Sequence, residues 1–151
     1  TIALSEVIRD NDIKTIISGC AVHDYQALWE HHRKHSSWQI WWPMRQVFFH
    51  RQNPKDFYAD FQKVSPKYHA QWLKTQESAR GKSKSIYLLQ CKNDPIVLYD
   101  VCFLNNKADF GIPDEKTLVY EKGGHAFIGH HDEVLEKIIE WLNNELFVKS
   151  N

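Results

Sequence analysis

No stretch of this 151-residue chain approaches the ~18 consecutive apolar residues that a membrane-crossing helix needs, so no span is expected. An excess of either charge is also lacking. The 19 basic and 19 acidic residues give a net charge of zero, which offers no footing for nucleic acid or an anionic membrane surface. Cysteine is scarce. Cys20, Cys91 and Cys102 are odd in number, scattered, and each set in an apolar stretch. That pattern belongs to core thiols in a reducing compartment, here the cytoplasm, and not to a disulfide scaffold. Metal donors lack a full set. His31 and His35 stand at i, i+4, a zinc-type spacing on a helix face, but Arg33 and Lys34 lie between them and no clear third ligand accompanies them. The expectation is a solvated helix face and no metal. The length is that of one domain able to bury a core.

Three short β-type segments are present, at 13–18, 85–90 and 116–121. Each is continuous in apolar character, as strands buried on both faces of a parallel sheet are. Helical stretches separate them, the rhythm of an α/β fold. The last helix, from His131 to about Phe147, gathers Val134, Leu135, Ile138, Ile139, Trp141, Leu142 and Leu146 on one face. Asp132 and Glu133 lie in its first turn, where the helix dipole favours anions. That face is expected to pack on the sheet. Gly111, followed by Pro113, marks a helix C-cap after the 101–110 segment.

The second and third strands run into turns that each present one ionisable side chain, Asp94 in Asn93-Asp94-Pro95 and His125 in Gly123-Gly124-His125. Pro95 fixes its turn because the ring locks φ and removes an N–H. The paired glycines supply the backbone freedom that aims an imidazole. Two parallel strands hold both side chains at the same sheet edge. Taken singly, Asp94 also reads as an Asx turn and His125 as a loop histidine.

Together, Ser85-Ile-Tyr-Leu-Leu-Gln-Cys-Lys-Asn-Asp-Pro-Ile-Val97, then Thr117-Leu-Val-Tyr-Glu-Lys-Gly-Gly-His-Ala-Phe-Ile128, then the amphipathic helix, resemble the C-terminal half of an α/β-hydrolase. The resemblance implies a partial α/β-hydrolase fold whose core is 1–20 and 85–151, with a helical lid at 21–84. It implies Asp94 as the acid and His125 as the base of a catalytic triad, acting by acyl transfer on a small-molecule ester or amide and needing no cofactor. Val64-Ser65-Pro66-Lys67-Tyr68-His69 is similar to a segment of esterase, arylformamidase and prolyl-oligopeptidase-like members, which leaves esterase and peptidase both open.

The family's G-x-S-x-G nucleophile elbow does not occur in the sequence. The resemblance therefore puts the serine upstream, in a missing N-terminal half or a companion chain that would also pair with the open edge of the first strand. On this reading the 151 residues alone are inactive. Cys20, just past that strand, is a rival nucleophile, although the resemblance sets the nucleophile one strand earlier. A reading of another class makes the chain a non-catalytic hydrolase-like module that binds a partner.

Aromatics crowd the 21–84 region, and about sixty residues between two strands of an α/β unit make an insertion. Trp38, Trp41 and Trp42, with Phe127 from the histidine turn, are the candidates for a pocket that takes an apolar or aromatic substrate group. The alternative is that the insert's aromatics form its own core, since a small unit needs large side chains to bury enough area.

Overall fold

A computed structural model describes residues 10, 12–35, 54–80 and 84–147. The side-chain candidates Trp38, Trp41 and Trp42 lie outside these residues. Strand β1 (Thr15–Gly19) is followed by helices α1 (Tyr25–His35), α2 (Pro54–Val64) and α3 (Lys67–Arg80), then by strand β2 (Ser85–Cys91). A π-helical turn (Tyr99–Phe103) leads into α4 (Leu104–Phe110), and β3 (Thr117–Tyr120) and α5 (His131–Phe147) complete the order. The sheet runs β1-β2-β3 with every pair parallel. The fold is α/β, as the strand and helix rhythm requires.

The strand bounds differ slightly from those read in the sequence. Ile13 and Lys14 precede β1, which continues through Gly19 to pair with Leu89. At the other edge, Lys116 closes a 3₁₀ turn and Glu121 falls beyond β3, because pairing with β2 stops at Tyr120.

Alternation along the strands builds two cores. Ile16, Ile86 and Leu88 point to one face and pack with Leu73 of α3, Phe103 and Ile112. Tyr87 and Leu89 point to the other and meet Trp141 of α5, with Val134 and Ile138 beside it. Strand β2 is buried at every position, the condition of a central strand covered on both sides. The rings of Tyr87 and Trp141 lie 4.7 Å apart, and such a pair contributes about 1 kcal/mol beyond its buried area.

Helix α5 corrects one expectation. Val134, Ile138 and Trp141 do pack on the sheet, but Leu135, Ile139, Leu142 and Leu146 are exposed. Among the described residues only the flank of the apolar arc that carries Val134, Ile138 and Trp141 meets the sheet. Gly111 caps α4 with φ 62, as its position before Ile112-Pro113 predicts.

A third cluster lies where the strands end. Cys20, Val22, Leu28, Val97 and Cys102 pack there, and Asp24 starts α1 by accepting the N–H groups of Gln26 and Ala27. His32 of α1 is fully buried and bonds the carbonyl of Ile96 at 2.7 Å, tying that helix to the turn that follows β2.

Candidate active site

The acid turn is built from its backbone outward. Cys91 ends β2, and the chain folds back so that Asp94 N–H donates to the Cys91 carbonyl at 3.2 Å. Asp94 Oδ1 accepts the N–H groups of Ile96 at 2.8 Å and Val97 at 3.0 Å. This is the Asx turn that its sequence permits. The other oxygen, Oδ2, accepts Gln90 Nε2 at 3.1 Å and His125 Nδ1 at 2.9 Å. The two readings of Asp94 are therefore compatible, since one oxygen builds the turn and the other holds the histidine.

The base turn is shaped by left-handed backbone. Gly123 has φ 132, Gly124 φ 61, Phe127 φ 54 and Gly129 φ 86, an arrangement that packs a tight reversal between β3 and α5. A Cβ at Gly123 would sit 2.8 Å from Cys91 Sγ, so the loop approaches β2 too closely for any other residue. Gly124 N–H donates to Asn93 Oδ1 at 2.9 Å, a direct strap between the two turns. His131 bonds the Ala126 carbonyl at 2.9 Å, and the ring of His130 stacks on Tyr120 at 3.9 Å. Both histidines thus support the loop that carries His125.

Within the dyad the two side chains have opposite environments. That of Asp94 is wholly buried, while that of His125 is 45% exposed. A carboxylate oxygen only accepts, so Nδ1 of His125 is the donor and Nε2 is the ring nitrogen directed away from Asp94. The geometry fits a general base whose tautomer is fixed by its neighbour.

Cys20 completes the cluster. It follows β1 with φ 49, unusual for a residue with a Cβ, and its thiol donates to the His125 carbonyl at 3.5 Å. Burial pushes its pKa well up, and a hydrogen bond to Asp94 pushes it further. A thiol held protonated is not a nucleophile, which argues against the rival assignment. The ligand-type atoms of Cys20, Asp94 and His125 all lie within 4.8 Å of one another, the one such group of three among the described residues. Asp94 also accepts from Gln90, Ile96 and Val97, so its two oxygens are engaged in hydrogen bonds within the turn. His31 and His35 face each other with ring centroids 4.9 Å apart.

Phe127, a candidate for substrate contact, is half-buried and packs against both the strand-end cluster and the α5 cluster. Its ring covers Gly19, where a Cβ would lie 3.3 Å away. Beside the acid turn a cleft of about 510 Å³ opens between His31 and the segment from Leu98 to Leu104, with Lys92 and Asp100 on its wall. The residues that sequence reasoning missed are Gln90 and Asn93. Gln90 gave a signal, as a polar side chain inside an otherwise apolar strand.

No protein-family model matches the chain, and no curated protein or solved structure matches it either.

Proposed function

We propose that the chain supplies the acid and the base of an acyl-transfer hydrolase of the α/β-hydrolase type, acting on a small-molecule ester or amide. The observation that carries the reading is the 2.9 Å bond from His125 Nδ1 to a wholly buried Asp94, at the C-terminal edge of a parallel sheet. His125 takes the proton of the attacking hydroxyl, and Asp94 orients the imidazole and stabilises its cation. The nucleophile is a serine from polypeptide outside these 151 residues, a missing N-terminal half or a companion chain, because the sequence has no elbow and the thiol of Cys20 is disarmed. Three free, buried cysteines support a reducing compartment, the cytoplasm, as the place of action. Among the described residues no helix is long and apolar enough to cross a membrane.

The test uses the chain alone and the chain joined to the coding sequence that flanks it. The reading expects no turnover of p-nitrophenyl esters by the chain alone above a His125→Ala control. The joined polypeptide should be labelled by a fluorophosphonate on a serine outside the 151 residues, and lose activity by 10³-fold or more on His125→Ala. Full activity in that variant would overturn the reading, as would turnover by the chain alone that disappears in Cys20→Ala.

A second reading, a module that binds a partner without chemistry, is favoured by the exposed row of Leu135, Ile139, Leu142 and Leu146 on α5. Labelling of a serine whose reactivity depends on His125 separates the two.

A further inference from the structure

The bonds around Asp94 point to a third member of the site. Gln90 is fully buried on β2, on the strand face whose other members, Ile86 and Leu88, are apolar core. An amide in that place is costly unless every polar atom is satisfied. One is not. Gln90 Oε1 has no partner among the described residues, while Nε2 faces three acceptors: Asp94 Oδ2 at 3.1 Å, the Val97 carbonyl at 2.8 Å and the Cys91 carbonyl at 3.4 Å. Three acceptors around one nitrogen leave the amide no alternative orientation, so the orphaned oxygen is a consequence of where the NH₂ group is needed. An apolar residue of similar size would fill the same space without that cost.

We infer that Gln90 is a positioning residue of the acid–base pair. It holds Asp94 Oδ2 at the point where His125 Nδ1–H meets it, and it closes the turn by gripping the Val97 carbonyl at the same time. Oδ1 cannot serve this purpose, because the N–H groups of Ile96 and Val97 already fix it to the turn. Without Gln90 the carboxylate retains its attachment to the backbone through Oδ1, but the oxygen that faces the histidine is free to rotate about that anchor. His125 then loses a defined partner and populates both neutral tautomers. The role is indirect: Gln90 is separated from the imidazole by Asp94 and acts only through it. The inference rests on the acid–base reading of Asp94 and His125. It does not require the serine, so it is testable on the chain as it stands.

The experiment is ¹⁵N–¹H spectroscopy of the imidazole of His125 in the full chain, its signals identified by their loss in His125→Ala. In the wild-type chain a single Nδ1–H tautomer is expected, with its proton protected from water. Gln90→Met, folded by circular dichroism, should show mixed tautomers and exchange of that proton at least ten times faster. Asp94→Asn should do the same, and adding Gln90→Met to it should change nothing more, because the path runs through the carboxylate. If Gln90→Met does not fold, Gln90→Asn is decisive: it keeps the amide but falls one methylene short of Oδ2, and the same loss of tautomer is expected. A folded Gln90 variant with the wild-type tautomer and exchange rate would overturn the inference, as would a further change in the Asp94→Asn background. A wild-type chain with the expected tautomer but no labelled serine in the joined polypeptide would sink the hydrolase reading and leave the role of Gln90 intact.

Discussion

The turn after β2 and the turn after β3 meet across 2.9 Å, yet they are built on opposite principles. The acid turn is a closed hydrogen-bonded unit: a buried carboxylate accepts two backbone N–H groups, an amide and an imidazole, and a buried histidine of α1 grips the Ile96 carbonyl. The base turn is shaped by positive φ angles and close backbone approach, and the side chain it presents stands half in solvent. On the proposed reading, the group that orients is fixed and the group that reacts is exposed. The contrast predicts that removing Asp94 damages the fold far more than removing His125 does.

The largest expected effect tests that contrast directly. Asp94→Ala leaves the N–H groups of Ile96 and Val97 without their acceptor, at about 1 kcal/mol or more each, opens a void in a buried turn, and takes from the Gln90 amide one of its three acceptors. A loss of about 4 kcal/mol in urea unfolding is expected. His125→Ala should cost about 1 kcal/mol or less, since its side chain has little burial to lose. Equal losses from the two variants would break the comparison.

Within the base turn, two adjacent glycines should respond unequally. Alanine at Gly123 meets Cys91 Sγ at 2.8 Å and must hold φ 132, so a loss of about 3 kcal/mol is expected. Alanine at Gly124 has φ 61 and no atom within 4 Å, and only the left-handed backbone is penalised, by about 1 kcal/mol. Chemical denaturation of the pair reads the difference; similar losses would mean that the close approach to β2 is unimportant.

The thiols beneath the turns give a pH signature. Burial raises the pKa of Cys102 from 9.0 to about 11, and burial also raises those of Cys91 and Cys20. A folded pKa above the unfolded one means that the native state binds more protons in between. Stability is then fully present below pH 9 and falls as pH rises toward 11, by about 1 kcal/mol per pH unit for one such thiol. Denaturation midpoints at pH 8, 9.5 and 10.5 check the slope, and Cys102→Ala should flatten it. A midpoint that rises over this range would contradict the burial of these thiols.

The smallest effect concerns the strap between the turns. Asn93→Ala removes the acceptor of Gly124 N–H, and a loss of about 1 kcal/mol is expected. The protection of the His125 Nδ1 proton should fall with it. Unchanged protection would show that the two turns hold their positions independently.

The sequence by itself determined the elements that depend on local pattern. The three continuous apolar runs became parallel strands within two residues of their expected bounds, and Gly111 became a C-cap because only a residue without Cβ takes that backbone conformation freely. The placement of Asp94 and His125 at one sheet edge was also legible, since parallel strands bring the turns that follow them to the same side. Only the tertiary structure decided the rest. Asn93 acts through a partner on the other turn and Gln90 through the turn that follows its own strand, and no periodicity encodes such pairs. Cys20 became a protonated donor because burial against Asp94 opposes its ionisation, an effect set by neighbours far along the chain. Helix α5 shows the same division: its amphipathic pattern is local, but packing on Tyr87 and Leu89 of β2 decided that Trp141 would be buried while Leu135 and Leu146 stay exposed.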